Sequence, residues 1–341
     1  MTMTELVDTA QMLVANAKGL LAIDESTPTC DKRFAKLGIP QTEATRRSYR
    51  QLIVSTPGLA ECISGVILYD ETIREQTEDG TFFVDAVRTA GMIAGIKVDL
   101  GAKDMAGCPG ERLTEGLDGL RDRLGAYARA GARFAKWRAV IAIADGLPTR
   151  ACIEANAHAL ARYAVTCQQA GLVPAVEPEV LMDGAHSLER CREVTEVVLR
   201  TVFDELITQG VELEGMILKP NMVVPGSGCA VQPSVAAVAE ATVACLRRVV
   251  PAAVPGIAFL SGGQSGEVAS ARLNAMNAQL GAQPWALTFS FGRAIQYPAL
   301  DIWRGDANNV VAAQQALLHR ARCDRAARRG AYDSVTDAPR S

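Results

Sequence analysis

At 341 residues, with 49% hydrophobic and 21% charged residues, the chain has the composition of a globular protein able to bury a sizeable core. A net charge of -3 argues against nucleic-acid or anionic-membrane partners. The nine cysteines show no CxxC pairing, and none stands at zinc-ligand spacing to a histidine, so they read as reduced thiols of a cytoplasmic protein.

The first stretch, MTMTELVDTAQMLVANAKG, carries Glu5 and Asp8 among apolar residues at helical spacing, which predicts an amphipathic helix and not a signal peptide. From residue 19 onward an apolar run, a loop and a longer amphipathic stretch recur. The apolar runs are 20–23, 65–69, 93–98, 134–137, 173–176, 216–218, 257–260 and 286–289, which makes eight predicted strands. Helical patterns lie between them, among them 113–130, 150–170, 187–209 and 234–249. Gly131, Gly171 and Gly210 stand where left-handed C-caps belong, and Ser187 and Ser234 where N-caps belong. A final helix is predicted over about 308–328, with no strand after it.

Strands alternating with helices imply a parallel sheet covered by helices. Eight such units in one chain point to an α/β protein, a (β/α)8 TIM barrel. An open doubly wound sheet would place a glycine-rich turn after its first strand, whereas the turn here is Asp24-Glu25-Ser26-Thr27-Pro28. We expect one domain over 1–330 and a flexible tail over 331–341.

In such barrels the chemistry sits at the C-terminal ends of the strands. Those ends carry Asp24, Asp70, Lys97 with Asp99, Lys136 with Arg138, Glu177 with Glu179, Lys219, Ser261, and Ser290 with Arg293. Lys136 and Arg138 are two apart and share a face, as do Glu177 and Glu179. Lys219 ends an apolar strand and is followed by Pro220. On that stretch alone it is either a lysine reaching out into solvent or a buried amine that sheds its charge and becomes a nucleophile toward carbonyls. Charged residues at nearly every strand end favour the second reading, because neighbouring Lys97 and Lys136 would depress its pKa further. Glu177 and Asp24 are candidate proton carriers. The turns Ser261-Gly262-Gly263 and Ser290-Phe291-Gly292-Arg293 follow strands seven and eight, the usual phosphate site of these barrels, and Arg293 would add a charge-assisted grip. The only histidines, His158, His186 and His319, end no strand, so neither a metal centre nor a serine or cysteine nucleophile with a histidine base is expected.

The segments GLLAIDEST (19–27), GVILYDET (65–72), GIKVD (95–99), FAKWR (134–138), VEPE (176–179), LKPNM (218–222), FLSGGQS (259–265) and TFSFGRA (288–294) occur in order along the chain. In these the sequence resembles class I fructose-bisphosphate aldolase, the Schiff-base type. The resemblance implies reversible cleavage of fructose 1,6-bisphosphate to dihydroxyacetone phosphate and glyceraldehyde 3-phosphate in glycolysis and gluconeogenesis, without metal or cofactor. Lys219 would hold the ketose at C2, and Glu177 would be the general acid and base. Asp24, Lys136 and Glu179 would assist proton transfer, while Lys97 and Arg138 would contact phosphate or substrate. Ser261, Gly262, Ser290, Gly292 and Arg293 would bind one phosphate, with Lys32 and Arg33 near the other. The family's GS after DEST is Pro28-Thr29 here, where Thr29 retains a hydroxyl. The C-terminal tyrosine of animal members is missing, Tyr332 being the last tyrosine. A homotetramer is also implied. A related ketose bisphosphate such as sedoheptulose 1,7-bisphosphate, or a catalytically silent scaffold, are the competing readings.

Overall fold

The structure, a computed structural model, describes residues 2–334 and Asp337. Ten strands run β1 (Gly19–Ala22), β2 (Ile63–Leu68), β3 (Ile93–Lys97), β4 (Ala102–Asp104), β5 (Arg112–Thr114), β6 (Phe134–Ile141), β7 (Val173–Val180), β8 (Ile217–Leu218), β9 (Gly256–Phe259) and β10 (Ala286–Phe291). Eight of them close into a parallel barrel in the order β1-β10-β9-β8-β7-β6-β3-β2. Helices outside the barrel are α2 (Thr27–Lys36), α3 (Glu43–Val54), α4 (Asp70–Arg74), α5 (Phe83–Thr89), α6 (Leu120–Ala130), α7 (Arg150–Gln169), α8 (Leu188–Thr208), α9 (Val235–Val249), α10 (Gly266–Gln279), α11 (Arg293–Trp303) and α12 (Val310–Arg328). The (β/α)8 barrel and its eight strands are therefore as the apolar runs predict.

The first helix, α1 (Met3–Val14), packs across the end of the barrel where the strands begin. Its buried face, Leu6, Ala10, Leu13 and Val14, joins Leu20, Ile67, Phe134, Val173 and Ile217 from the barrel interior in one apolar cluster. The fit requires glycine where the strands start. A Cβ on Gly256 would lie 2.5 Å from a Val14 methyl carbon, and one on Gly95 would lie 2.3 Å from the Phe134 ring. That end is plugged, so only the opposite mouth can admit a substrate.

Local chemistry sets the helix ends. Ser187 and Ser234 cap α8 and α9 through their hydroxyls, which accept from Arg190 N and Ala237 N. Gly131, Gly171 and Gly210 all adopt positive φ, as a left-handed helix end requires. One predicted element is corrected. The stretch 113–130 is not a single helix, because Arg112–Thr114 pairs antiparallel with Ala102–Asp104, and α6 begins only at Leu120. The residues before Leu120 include Gly116 and Gly119, both at positive φ, which L side chains rarely adopt and a helix interior does not use.

Of the expected tail, Tyr332 packs against the main core and its N–H donates to Asn274, while Asp337 is buried against α12. Residues 335–336 and 338–341 lie outside the described residues.

Candidate active site

At the open mouth the barrel encloses a cavity of about 300 Å³. Two adjacent strands supply most of its charge. In the β6–β7 register Lys136 lies opposite Ala175 and Arg138 opposite Glu177. Side chains of one parity face the cavity, so Lys136, Arg138, Glu177 and Glu179 all line it. Both strands run four residues beyond the apolar runs read from the sequence. The charged residues interrupt the apolar pattern, but the hydrogen-bond ladder continues through them.

Lys219 follows the two-residue strand β8, and its backbone N–H donates to Val176 O at 2.8 Å. The pairing to β7 thus extends through the lysine itself. Pro220 cannot donate, and the next residue, Asn221, turns its carboxamide inward to accept from Val180 N at 2.9 Å. This fastens the end of β7, which carries Glu179, to the segment that carries Lys219. The amine is buried, with 4% of its side chain exposed.

A chain of charges runs across the cavity floor. Lys219 Nζ lies 3.3 Å from Glu177 Oε1, whose other oxygen lies 3.2 Å from Lys136 Nζ. Lys136 in turn donates to Asp24 Oδ2 at 2.7 Å. Burial lowers the Lys219 pKa, Glu177 opposes that, and the Lys136 ammonium lowers it further, leaving it below the ordinary lysine value. Burial would also lower Lys136, but Asp24 and then Glu177 outweigh it, and Lys136 is held well above. Burial works against the Asp24 charge, yet Lys136 and Lys219 hold that carboxyl well below its ordinary range. Lys136 is the fixed ammonium and Lys219 the amine prone to lose its proton. Lys97 is drawn away to Asp99 Oδ1 at 2.7 Å and is not among the groups that chiefly shift Lys219. Of the two lysines expected to depress Lys219, only Lys136 stands out.

Glu179 is raised by burial, although Arg138, 3.0 Å away, opposes this. Beyond Lys219 around the barrel, after β9 and β10, Ser261, Gly262, Ser290, Gly292 and Arg293 also line the cavity. Gly262 and Gly263 take φ of +59° and +97°. The Ser290 hydroxyl is buried with no hydrogen-bond partner, and Arg293 is exposed with no carboxylate partner among the described residues. An unsatisfied hydroxyl, an unpaired guanidinium and glycine-rich backbone together suit a polyanionic ligand group.

Arg33 and Thr29 line the cavity from α2, whereas Lys32 is exposed and does not. Pro28 sits in the first turn of α2, where a missing N–H costs no helical bond. The Thr29 hydroxyl meets that of Ser26 at 3.0 Å. Asp70, a strand-end residue in the sequence reading, instead begins α4 and accepts from Arg74 and Tyr127 outside this cavity. Sequence reasoning missed Glu25. This buried carboxylate holds Arg33 at 2.6 Å, Arg50 at 3.2 Å and Gln296 at 2.8 Å. Its only signal was a second acid directly after Asp24.

The family model for class-I fructose-bisphosphate aldolase matches residues 5–340. The chain belongs to the class I fructose-bisphosphate aldolase family. A "Probable fructose-bisphosphate aldolase class 1" of Xanthomonas campestris is 57% identical over 94% of this chain and 96% of its own length. The cytosolic fructose-bisphosphate aldolase 6 of Arabidopsis thaliana is 51% identical over 96% of this chain and 91% of its own. A solved structure of the Plasmodium falciparum aldolase, in complex with TRAP and a small-molecule inhibitor, superposes with a TM-score of 0.95 at 49% identity, covering 97% of this chain and 95% of that one. The class I aldolases are lyases of the Schiff-base type, and this chain's recognised fold and family agree with the resemblance read from its motifs.

Proposed function

We propose that Lys219 carries the aldolase reaction as the Schiff-base lysine, on a sugar bisphosphate held between the Ser290–Arg293 and Arg33 ends of the cavity. The supporting observation is a buried lysine with a lowered pKa, 3.3 Å from the carboxylate of Glu177, at the base of a cavity with anion-binding groups. The Lys219 ammonium passes a proton to Glu177, the neutral amine attacks C2 of fructose 1,6-bisphosphate, and the resulting carbinolamine loses its hydroxyl as water with that proton from Glu177. The iminium then draws electrons. Glu177, now a carboxylate, takes the proton of the C4 hydroxyl, and the C3–C4 bond breaks with its electron pair passing to the iminium as an enamine. Glyceraldehyde 3-phosphate leaves first. Protonation at C3 and hydrolysis of the iminium release dihydroxyacetone phosphate and restore the amine.

The fixed ammonium of Lys136 keeps Glu177 and Asp24 compensated while protons move, and Glu179 with Arg138 forms the adjacent pair. Lys97 and Arg138 reach the substrate from the side of β3 and β6. Two anion grips favour a bisphosphate, and comparing turnover on fructose 1,6-bisphosphate with that on sedoheptulose 1,7-bisphosphate tests the carbon number. Faster turnover on the seven-carbon sugar would overturn the assignment, and no turnover on either would return the chain to the scaffold reading.

Family membership supports a homotetramer, and exposed Val197, Ile207, Val231 and Ile302 offer apolar surface for it. Light scattering giving a monomer mass would refute this. The cytosolic Arabidopsis relatives support a cytoplasmic location. Among the described residues no helix is long and apolar enough to cross a membrane.

A further inference from the structure

Away from the cavity, three side chains meet where the chain's end crosses α12. His319 Nε2 lies 3.1 Å from Asp337 Oδ1, Cys323 Sγ lies 3.2 Å from the same oxygen, and the two helical ligand atoms are 3.7 Å apart. None of the three lines the catalytic cavity. His319 and Cys323 are four residues apart, so one turn of helix puts them on one face. The sequence reading found no cysteine at zinc-ligand spacing to a histidine; this pair, completed by a carboxylate 14 residues further on, is the exception.

We propose that His319, Cys323 and Asp337 form a structural zinc site that clips the C-terminal segment to α12. Imidazole, thiolate and carboxylate together suit zinc better than the oxygen-seeking magnesium or calcium. Tetrahedral zinc with ordinary bond lengths separates such ligand atoms by roughly 3.3–3.6 Å, close to the triangle already present. Cys323 and Asp337 are buried, while 44% of the His319 side chain is exposed, which leaves a side open for a water as fourth ligand. On binding, the sulfur–metal bond forms as the thiol gives its proton to solvent.

The surroundings resemble the outer shell of a metal site. Asp337 Oδ2 accepts from Tyr332 Oη at 2.6 Å, and Arg320 donates to both carboxylate oxygens, which fixes the group while Oδ1 also faces the two helical ligands. Arg320 is itself faced by Asp324 at 3.9 Å and Glu267 at 4.0 Å, so acidic groups offset its charge beside the cation. Arg320 also donates to Ser270 and packs beneath Gly266, the first residue of α10, so the clip joins the chain's end to the helix that follows the Ser261–Ser265 turn.

The test is zinc titration of the chelator-stripped full chain against a chromophoric chelator, followed by cobalt substitution. The expected result is one zinc per chain, weakened at least about tenfold in each of His319→Ala, Cys323→Ser and Asp337→Asn. Cobalt should give a sulfur-to-metal charge-transfer band that disappears in Cys323→Ser. Circular dichroism and unchanged aldolase turnover show that the variants fold. No zinc uptake by the wild type, or uptake unaltered in all three variants, overturns the proposal and leaves Asp337 a hydrogen-bonded latch only.

Discussion

Replacing Lys136 by Met removes the one ammonium that presses on Lys219 while leaving its two carboxylates in place. Lys136 and Lys219 each contact a different oxygen of Glu177, at 3.2 Å and 3.3 Å. That sharing puts the two nitrogens on the order of 5 Å apart, where like unit charges repel by about 3 kcal/mol at an effective dielectric near 20. Water entering the shortened side chain's space relaxes part of this. The remainder should still cut the neutral fraction of Lys219 at neutral pH by about tenfold, since about 1.4 kcal/mol is worth that factor. Asp24→Asn predicts the opposite sign, because it deletes a carboxylate that favours the protonated amine. Competitive labelling with acetic anhydride across pH, read at Lys219 by peptide mass mapping, reports the amine's own titration in both variants. Lys136→Met should move that titration to higher pH and Asp24→Asn to lower pH. Shifts of the same sign, or no shift in Lys136→Met, would refute the electrostatic reasoning.

Glu177→Gln keeps the shape of the side chain but cannot shuttle protons. It should lower kcat by roughly 100-fold or more with little change in KM, measured by coupled cleavage assay. Arg293→Ala should raise KM for fructose 1,6-bisphosphate by about tenfold or more, the worth of a charge-assisted hydrogen bond, and affect kcat less. Removing the residues after Tyr332 should leave cleavage turnover nearly unchanged, and a loss of roughly tenfold would contradict this. The same truncation removes Asp337 and, with it, zinc binding.

Much of this was legible in the sequence because burial and chemistry alternate cleanly along it. The apolar runs marked eight strands, since a parallel barrel buries both faces of each one. The strand-end charges marked the cavity because such groups are costly to bury without partners. Legibility failed where neither signal is strong. The β4–β5 hairpin is three residues on each side and largely exposed, so it has no apolar run to betray it. β6 and β7 looked shorter than they are because Arg138, Glu177 and Glu179 break the apolar pattern without breaking the ladder. Lys97 illustrates a further limit. Its position in the cavity could be read, but not its pairing with Asp99, which depends on side-chain geometry two residues along the chain. Glu25 looked like one more polar turn residue, and only the packing of α2, α3 and α11 shows it gathering Arg33, Arg50 and Gln296. The cluster at Asp337 joins a helix face to the end of the chain, and no local spacing in the sequence announces that meeting.

Borohydride trapping with fructose 1,6-bisphosphate, in the presence of chelator and followed by peptide mass mapping, shows which lysine forms the Schiff base. A reduced adduct on Lys219 alone is expected. An adduct on Lys97 or Lys136 would keep the chemistry and move the nucleophile, and no adduct with activity abolished by the chelator would contradict the mechanism.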